Sequence, residues 1–197
     1  MGRRPLAVAI TGGIAAGKTE ALAAFARRGA AVASADELVH GVYREDESLK
    51  SELRERWGDQ VFGADGEVDR AAVAAIVFAD RSELDWLESV LHPRVRRAHQ
   101  EWLEEVAARP DPPALVVVEI PLLYETGGDA RYDKVVVVTA PPSVREARRG
   151  GFTGRESRLL PDEEKLRRAD FAYVNDGSLE ELDAFVDGVV KELTSSR

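Results

Sequence analysis

Gly12-Gly13-Ile14-Ala15-Ala16-Gly17-Lys18-Thr19 fits the pattern G-x-x-x-x-G-K-[ST], the spacing of a phosphate-cradling loop. The chemistry follows from the residue types. Backbone N–H groups of Gly13, Ile14, Ala15, Ala16 and Gly17 can converge on phosphate oxygens, and the following helix N-terminus, with Glu20 in its first turn, adds partial positive charge. Lys18 would reach the β- and γ-phosphates of a nucleoside triphosphate, and the Thr19 hydroxyl would hold Mg²⁺. The acidic candidates are Asp36 and Glu119. Asp36 reads either as a helix cap or as a carboxylate at the carboxyl end of a strand, where open α/β sheets bind ligands. Glu119 ends an apolar run and reads either as a carboxylate orienting Mg²⁺ through water or as a strand-edge acid without a metal role.

The elements that must position these groups alternate along the chain. Leu6-Ala7-Val8-Ala9-Ile10 before the loop is an apolar run of the kind that forms a buried parallel strand, and Ala21 to Ala26 after it is rich in helix formers. Gly29 to Ser34 predicts a helix end and a second strand, and Ala35 to His40 opens the next helix. Ala114 to Glu119, Lys134 to Thr139 and Phe171 to Val174 complete a five-stranded parallel sheet. Pro142 starts a helix with Ser143 as its cap. Ser178 caps the last helix, with Glu181 completing a capping box.

Between these strands, residues 45–113 carry helical periodicity without β-rich runs, too long a stretch for a simple crossover. Helices are predicted over Ser48 to Trp57, Arg70 to Phe78 and Ser82 to Leu91, with Gly58 to Gly66 a loop. Pro93 is predicted to end the third of these and begin a new one. The stretch reads as a substrate-binding insert or as helical decoration. Residues 145–168 hold Arg145, Arg148, Arg149, Arg155, Arg158, Arg167 and Arg168 around Gly150, Gly151 and Gly154. Cationic side chains closing over phosphates neutralise shifting charge and exclude water, so this reads as a lid, the alternative being a solvated helical face. The expected organisation is a nucleotide-binding core over residues 1–44, 114–144 and 169–197, an insert over 45–113 and a lid over 145–168.

Composition narrows the function classes. A net charge of −9 argues against a nucleic-acid-binding surface. The absence of cysteine excludes disulfides, thiolate metal sites and a cysteine nucleophile. No apolar run is long enough to span a membrane and no signal peptide is visible, so a cytoplasmic enzyme acting on small molecules, monomer or small homo-oligomer, is expected. No Asn-Lys-x-Asp signature of guanine recognition is present. The residues leave open a small-molecule or nucleotide kinase and a nucleotide-binding regulator without transfer activity.

A resemblance joins the remaining residues. The loop opening Thr11-Gly12-Gly13-Ile14, Ala35-Asp36 with His40, Leu91-His92-Pro93, Pro121-Leu122-Leu123-Tyr124-Glu125, and Ala169-Asp170 followed by Asn175-Asp176-Gly177-Ser178 resemble, in order, the marks of the dephospho-CoA kinase family. The resemblance implies a P-loop NTPase-type α/β fold and transfer of phosphate from ATP, with Mg²⁺, to the ribose 3′-hydroxyl of dephospho-CoA. It implies Asp36 and Lys18 as catalytic residues. Asp36, His40, His92, Pro121, Leu122, Leu123 and Glu125 would line the acceptor site, with His92 alternatively a structural hydrogen-bonding residue at the helix break. Arg148 and Arg155 would meet phosphates, and Asn175 and Gly177 are candidates for the adenine side. The chain departs from the family at Ala15-Ala16, where Gly-Ser is usual, at Ser34 in place of an aspartate, at Leu159 in place of a glutamine, and in a lid several residues short between Arg148 and Arg155. Alanine at position 15 keeps its N–H donor and suits the loop where the local φ is negative.

Overall fold

The computed structural model describes residues 4–149 and 160–195. The chain divides into two compact units, Met1–Ser34 with Glu105–Arg197, and Ala35–Glu104.

The first unit is built on a five-stranded parallel sheet in the order β2-β3-β1-β4-β5. Its strands are β1 (Leu6–Gly12), β2 (Ala31–Ser34), β3 (Leu115–Glu119), β4 (Lys134–Thr139) and β5 (Phe171–Val174). Apolar residues run almost unbroken through β1, β3 and β4 because both faces of a parallel sheet are covered. On one face Val8, Ile10, Val117, Val136 and Val138 pack with Phe25 of α1 (Lys18–Arg27) and with Leu182, Val186 and Val189 of α8 (Leu179–Ser195). On the other, Ala9, Val135 and Val137 pack with Leu123 and Tyr124. Asp133 accepts the Ala7 N–H at 2.8 Å and Asp170 the Val135 N–H at 2.8 Å, so two acids fix where strands begin. The capping box at α8 forms as expected, Ser178 N–H to Glu181 and Glu181 N–H to Ser178 Oγ. At α6 (Pro142–Arg149) the cap differs. Pro142 itself is the first helical residue and Ser143 lies inside the turn, because a proline ring fits the position whose N–H needs no partner.

The second unit is helical: α2 (Ala35–Glu45), α3 (Glu47–Trp57), a 3₁₀ turn (Gly58–Val61), α4 (Arg70–Ala79) and most of α5 (Arg81–Ala107). Val42, Tyr43, Leu49, Leu53, Trp57, Val73, Val77 and Leu87 form its core. The unit runs from Ala35 to Glu104, earlier at both ends than the expected 45–113, and at its start α2 belongs to it because Val42 and Tyr43 pack in its core. The predicted loop over 58–66 contains the 3₁₀ turn, and Phe62 bridges Val68 beyond it. The predicted helix break at Pro93 does not occur. α5 runs through it uninterrupted, since Leu87, Val90, Leu91, Val95 and Ala98 on both sides belong to one apolar cluster and the Arg94 guanidinium donates to the Val90 carbonyl at 2.7 Å.

Candidate active site

The glycine loop leaves the end of β1 and enters α1, so its backbone stands at the carboxyl edge of the sheet. Two of its glycines are required by close approach. A Cβ on Gly12 (φ 142°) would lie 1.8 Å from the Val138 carbonyl oxygen, and one on Gly17 (φ 97°) 2.2 Å from Asn175 Nδ2. Ala15 holds φ 57°, in the left-handed region, so the negative φ under which alanine suits the loop is not what is found. The neighbouring backbone is tied down: Asn175, buried, donates Nδ2–H to the Ala16 carbonyl at 2.8 Å, and the Ala16 N–H turns toward Gly13 O at 3.4 Å.

Lys18 is buried, and its ammonium donates to the Gly13 carbonyl at 2.8 Å and lies 3.9 Å from Glu119 Oε1. Thr19 Oγ stands 3.5 Å from Glu119 Oε2. Cation, hydroxyl and carboxylate thus meet where β3 ends beside the loop. Among the described residues no group of three or more His, Asp or Glu side chains could hold a metal. One hydroxyl and one carboxylate are an all-oxygen donor set that suits Mg²⁺ bound chiefly by substrate phosphates and water. Glu20 is exposed in the first turn of α1.

Two arginines of α6 face the loop. Arg148 Nη1 lies 3.5 Å from the Ala15 and Ala16 carbonyls. Arg145 stands over Gly13, where an added Cβ would come within 3.0 Å of its Nη1, and reaches Asp162 Oδ2 at 3.7 Å. The sequence names Arg145 among the arginines of the lid but singles out Arg148 and Arg155 for the phosphates. The three-residue spacing of Arg145 and Arg148 on one helix face was the available signal. Arg155 lies outside the described residues, as does the stretch that holds Leu159 and the length departure of the lid.

Thr11 Oγ donates to the Pro121 carbonyl at 3.3 Å, and so ties the 121–125 segment to the end of β1. Pro121 is half-buried and Leu122 is 42% exposed. Leu123 is 0% exposed, inside the core cluster with Ala9 and Val137, so its side chain is no lining of an acceptor site. The turn that leaves β3 points it under the sheet. Glu125 Oε1 accepts the Leu160 N–H at 2.9 Å and meets Lys165 Nζ at 2.8 Å, a close charge contact. Burial alone would raise the Glu125 carboxyl, but the Lys165 ammonium and the Leu160 N–H outweigh it and hold it below the usual carboxylate range.

The remaining predicted residues belong to the helical unit. Asp36 is exposed in the first turn of α2, inside the helix rather than at its cap, two residues beyond the end of β2 in the chain. His40 is exposed one turn further on. His92 is exposed on the unbroken α5, so it attends no helix break.

Comparison with known proteins gives one answer. The family model described as dephospho-CoA kinase matches residues 6–181. A protein of Anaeromyxobacter dehalogenans named dephospho-CoA kinase is 39% identical, over 96% of this chain and 93% of its own. One of Rhodopseudomonas palustris with the same name is 41% identical over 87% of each. A crystal structure of a Thermus thermophilus protein superposes with a TM-score of 0.80 at 36% identity, covering 97% of this chain and 99% of that one.

Proposed function

The chain belongs to the dephospho-CoA kinase family, and on that premise we propose which of its residues carry the transfer. The enzyme is a kinase that moves a phosphoryl group from ATP to the 3′-hydroxyl of dephospho-CoA, giving CoA and ADP. The observation that carries the residue assignment is the meeting of Lys18, Thr19 and Glu119 beside the glycine loop.

In this reading Gly13 to Thr19 hold the β- and γ-phosphates, with Lys18 as the central cation. Arg145 and Arg148 neutralise charge on the transferring group from the other side. Thr19, and Glu119 through water, would hold Mg²⁺, which when bound screens the phosphate charge. Asn175 holds the loop in shape through the Ala16 carbonyl rather than reaching for the base with its donor. Residues 35–104 take the larger part of the acceptor, with His40 and His92 on its exposed surface, and Pro121, Leu122 and Glu125 form a further wall. Arg155 belongs to the proposed lid.

Asp36 is proposed as the carboxylate beside the acceptor hydroxyl. Its place in the chain directly after β2 supports this. The hydroxyl oxygen attacks the γ-phosphorus, the bond from that phosphorus to the ADP oxygen breaks, and the hydroxyl proton passes to Asp36 and on to solvent. Positioning and charge stabilisation supply most of the acceleration, and the carboxylate roughly 10²–10⁴-fold.

The test is ADP release with ATP, Mg²⁺ and a panel of acceptors, with CoA identified by mass. Dephospho-CoA-dependent release is expected, together with a loss of kcat of roughly a hundredfold or more in Asp36→Asn at an unchanged ATP KM. Release independent of dephospho-CoA would overturn the substrate, and near-normal turnover in Asp36→Asn would overturn the role of that residue.

A further inference from the structure

Helix α7 (Asp162–Arg168) carries an ion pair at each turn of one face. Asp162, Lys165 and Arg168 recur at intervals of three, which places them in one stripe. Asp162 meets Arg145, which stands over Gly13 of the phosphate loop. Lys165 meets Glu125 at 2.8 Å. Arg168 meets Asp129 at 3.0 Å and lies 4.1 Å over the Tyr124 ring. Two of the three pairs therefore grip the 124–129 stretch from one helix. The middle pair differs in kind from the outer two. Lys165 is 0% exposed, whereas Arg168 and Asp162 are partly exposed. A lysine is among the residues least often fully buried, and burying its charge is costly unless a partner holds it. A buried pair adds little net stability over an apolar pair of the same volume, and its best-attested use is to fix one arrangement. Here the arrangement fixed is that of Glu125 and, with it, the end of the Pro121–Glu125 segment.

We propose that Lys165 is a positioning residue for phosphoryl transfer, acting through Glu125 to hold the Pro121–Glu125 segment against the acceptor. The proposal rests on the reading that this segment lines the acceptor site. Lys165 touches neither substrate. Its loss leaves a mostly buried carboxylate with the Leu160 N–H but no cation, and Glu125 then turns toward whatever solvent or further donor it can reach, so the segment loses its set. The glycine loop is held by other bonds, those of Asn175 and Lys18, and keeps its shape.

The experiment is initial-rate kinetics with ATP and dephospho-CoA varied separately, on the wild type, Lys165→Met, Glu125→Gln, their double variant and Leu122→Ala, with folding followed by thermal melting. Lys165→Met is expected to raise the KM for dephospho-CoA roughly tenfold or more while the KM for ATP stays within about twofold. Glu125→Gln should move the same constant, and the double variant should be no worse than the worse single, because both remove one interaction. A folded Lys165→Met with an unchanged acceptor KM, or with both KM values raised alike, overturns the proposal. Leu122→Ala separates the two readings. If it raises the acceptor KM while Lys165→Met does not, the positioning role alone falls. If Leu122→Ala, Glu125→Gln and Lys165→Met all leave that KM at the wild-type value, the segment is not an acceptor wall and both readings fall. Should Lys165→Met not fold, Lys165→Gln, which removes the cation and keeps a polar side chain there, carries the same test. Failure of both to fold assigns Lys165 to stability and overturns the proposal.

Discussion

Ala15 sits at φ 57° in a loop whose neighbours leave it little choice. Gly12 must approach the Val138 carbonyl, Gly17 must pass beside Asn175, and the Ala16 carbonyl is held by the Asn175 amide. Position 15 takes the left-handed conformation that closes the turn between them. For a residue with a Cβ that conformation costs about 1–2 kcal/mol, which the flanking bonds offset. Ala15→Gly removes the strain but adds freedom to the unfolded chain, worth about 0.4–1 kcal/mol in the opposite sense. The difference predicts a gain in unfolding free energy of about 1 kcal/mol for the nucleotide-free protein, read from urea denaturation. An unchanged or lowered stability would mean that the alanine methyl makes contacts that outweigh the strain. Asn175 shows what sequence could not reveal at this scale. Its type marks it as a polar residue near a ligand, but only the fold brings its amide to a carbonyl far off in the chain.

At the scale of elements, the strands and the glycine loop were legible because their requirements are local. A parallel strand covered on both faces must be apolar throughout, and Val135 to Val138 can be little else. The loop needs glycine where backbone approaches backbone, and Gly12 and Gly17 stand there. Helix α5 was misread because a local rule lost to packing. Proline in a helix interior removes a hydrogen bond and crowds the preceding turn, at about 3 kcal/mol relative to alanine. The apolar residues on both sides of Pro93 share one cluster, and burying them on a continuous helix outweighs that cost. Leu123 was misread for a related reason. Beyond the end of β3 no periodicity tells which way a side chain turns, and the core took it. Pro93 therefore carries a prediction. It is exposed, so Pro93→Ala loses little packing and restores the backbone donor. The variant should be more stable than the wild type by about 1 kcal/mol or more, measured by thermal or urea unfolding. If it also raises the KM for dephospho-CoA, the proline is kept for the acceptor and not for the fold. A loss of stability would show instead that the restriction proline puts on the unfolded chain outweighs the hydrogen bond it removes.

At the scale of the whole molecule, one chain is folded as two units with different chemistry. The sheet unit carries the glycine loop, Glu119 and the arginines of α6, and the helical unit carries Asp36, His40 and His92. If the first holds ATP and the second takes most of the acceptor, each ligand should quiet its own unit. Hydrogen–deuterium exchange reads this directly, because binding lowers the population of locally open states wherever the ligand contacts the protein. A nonhydrolysable ATP analogue with Mg²⁺ is expected to slow exchange at Gly13 to Thr19 and in α6, and to leave the core of 35–104 near its free rate. Dephospho-CoA alone is expected to slow exchange within 35–104, around His40 and His92, and at Leu122 to Glu125. Protection by dephospho-CoA confined to the sheet unit would strip the helical unit of its acceptor role. Slowed exchange at Gly13 to Thr19 with dephospho-CoA alone, together with slowed exchange across 35–104 with the ATP analogue alone, would mean that each substrate already commits the whole chain, and binding of the second would then be strengthened by the first, by the same factor in either order. The two patterns assign the entropy of ordering differently. In the first, each substrate bears its own share, and in the second, whichever binds first bears most of it.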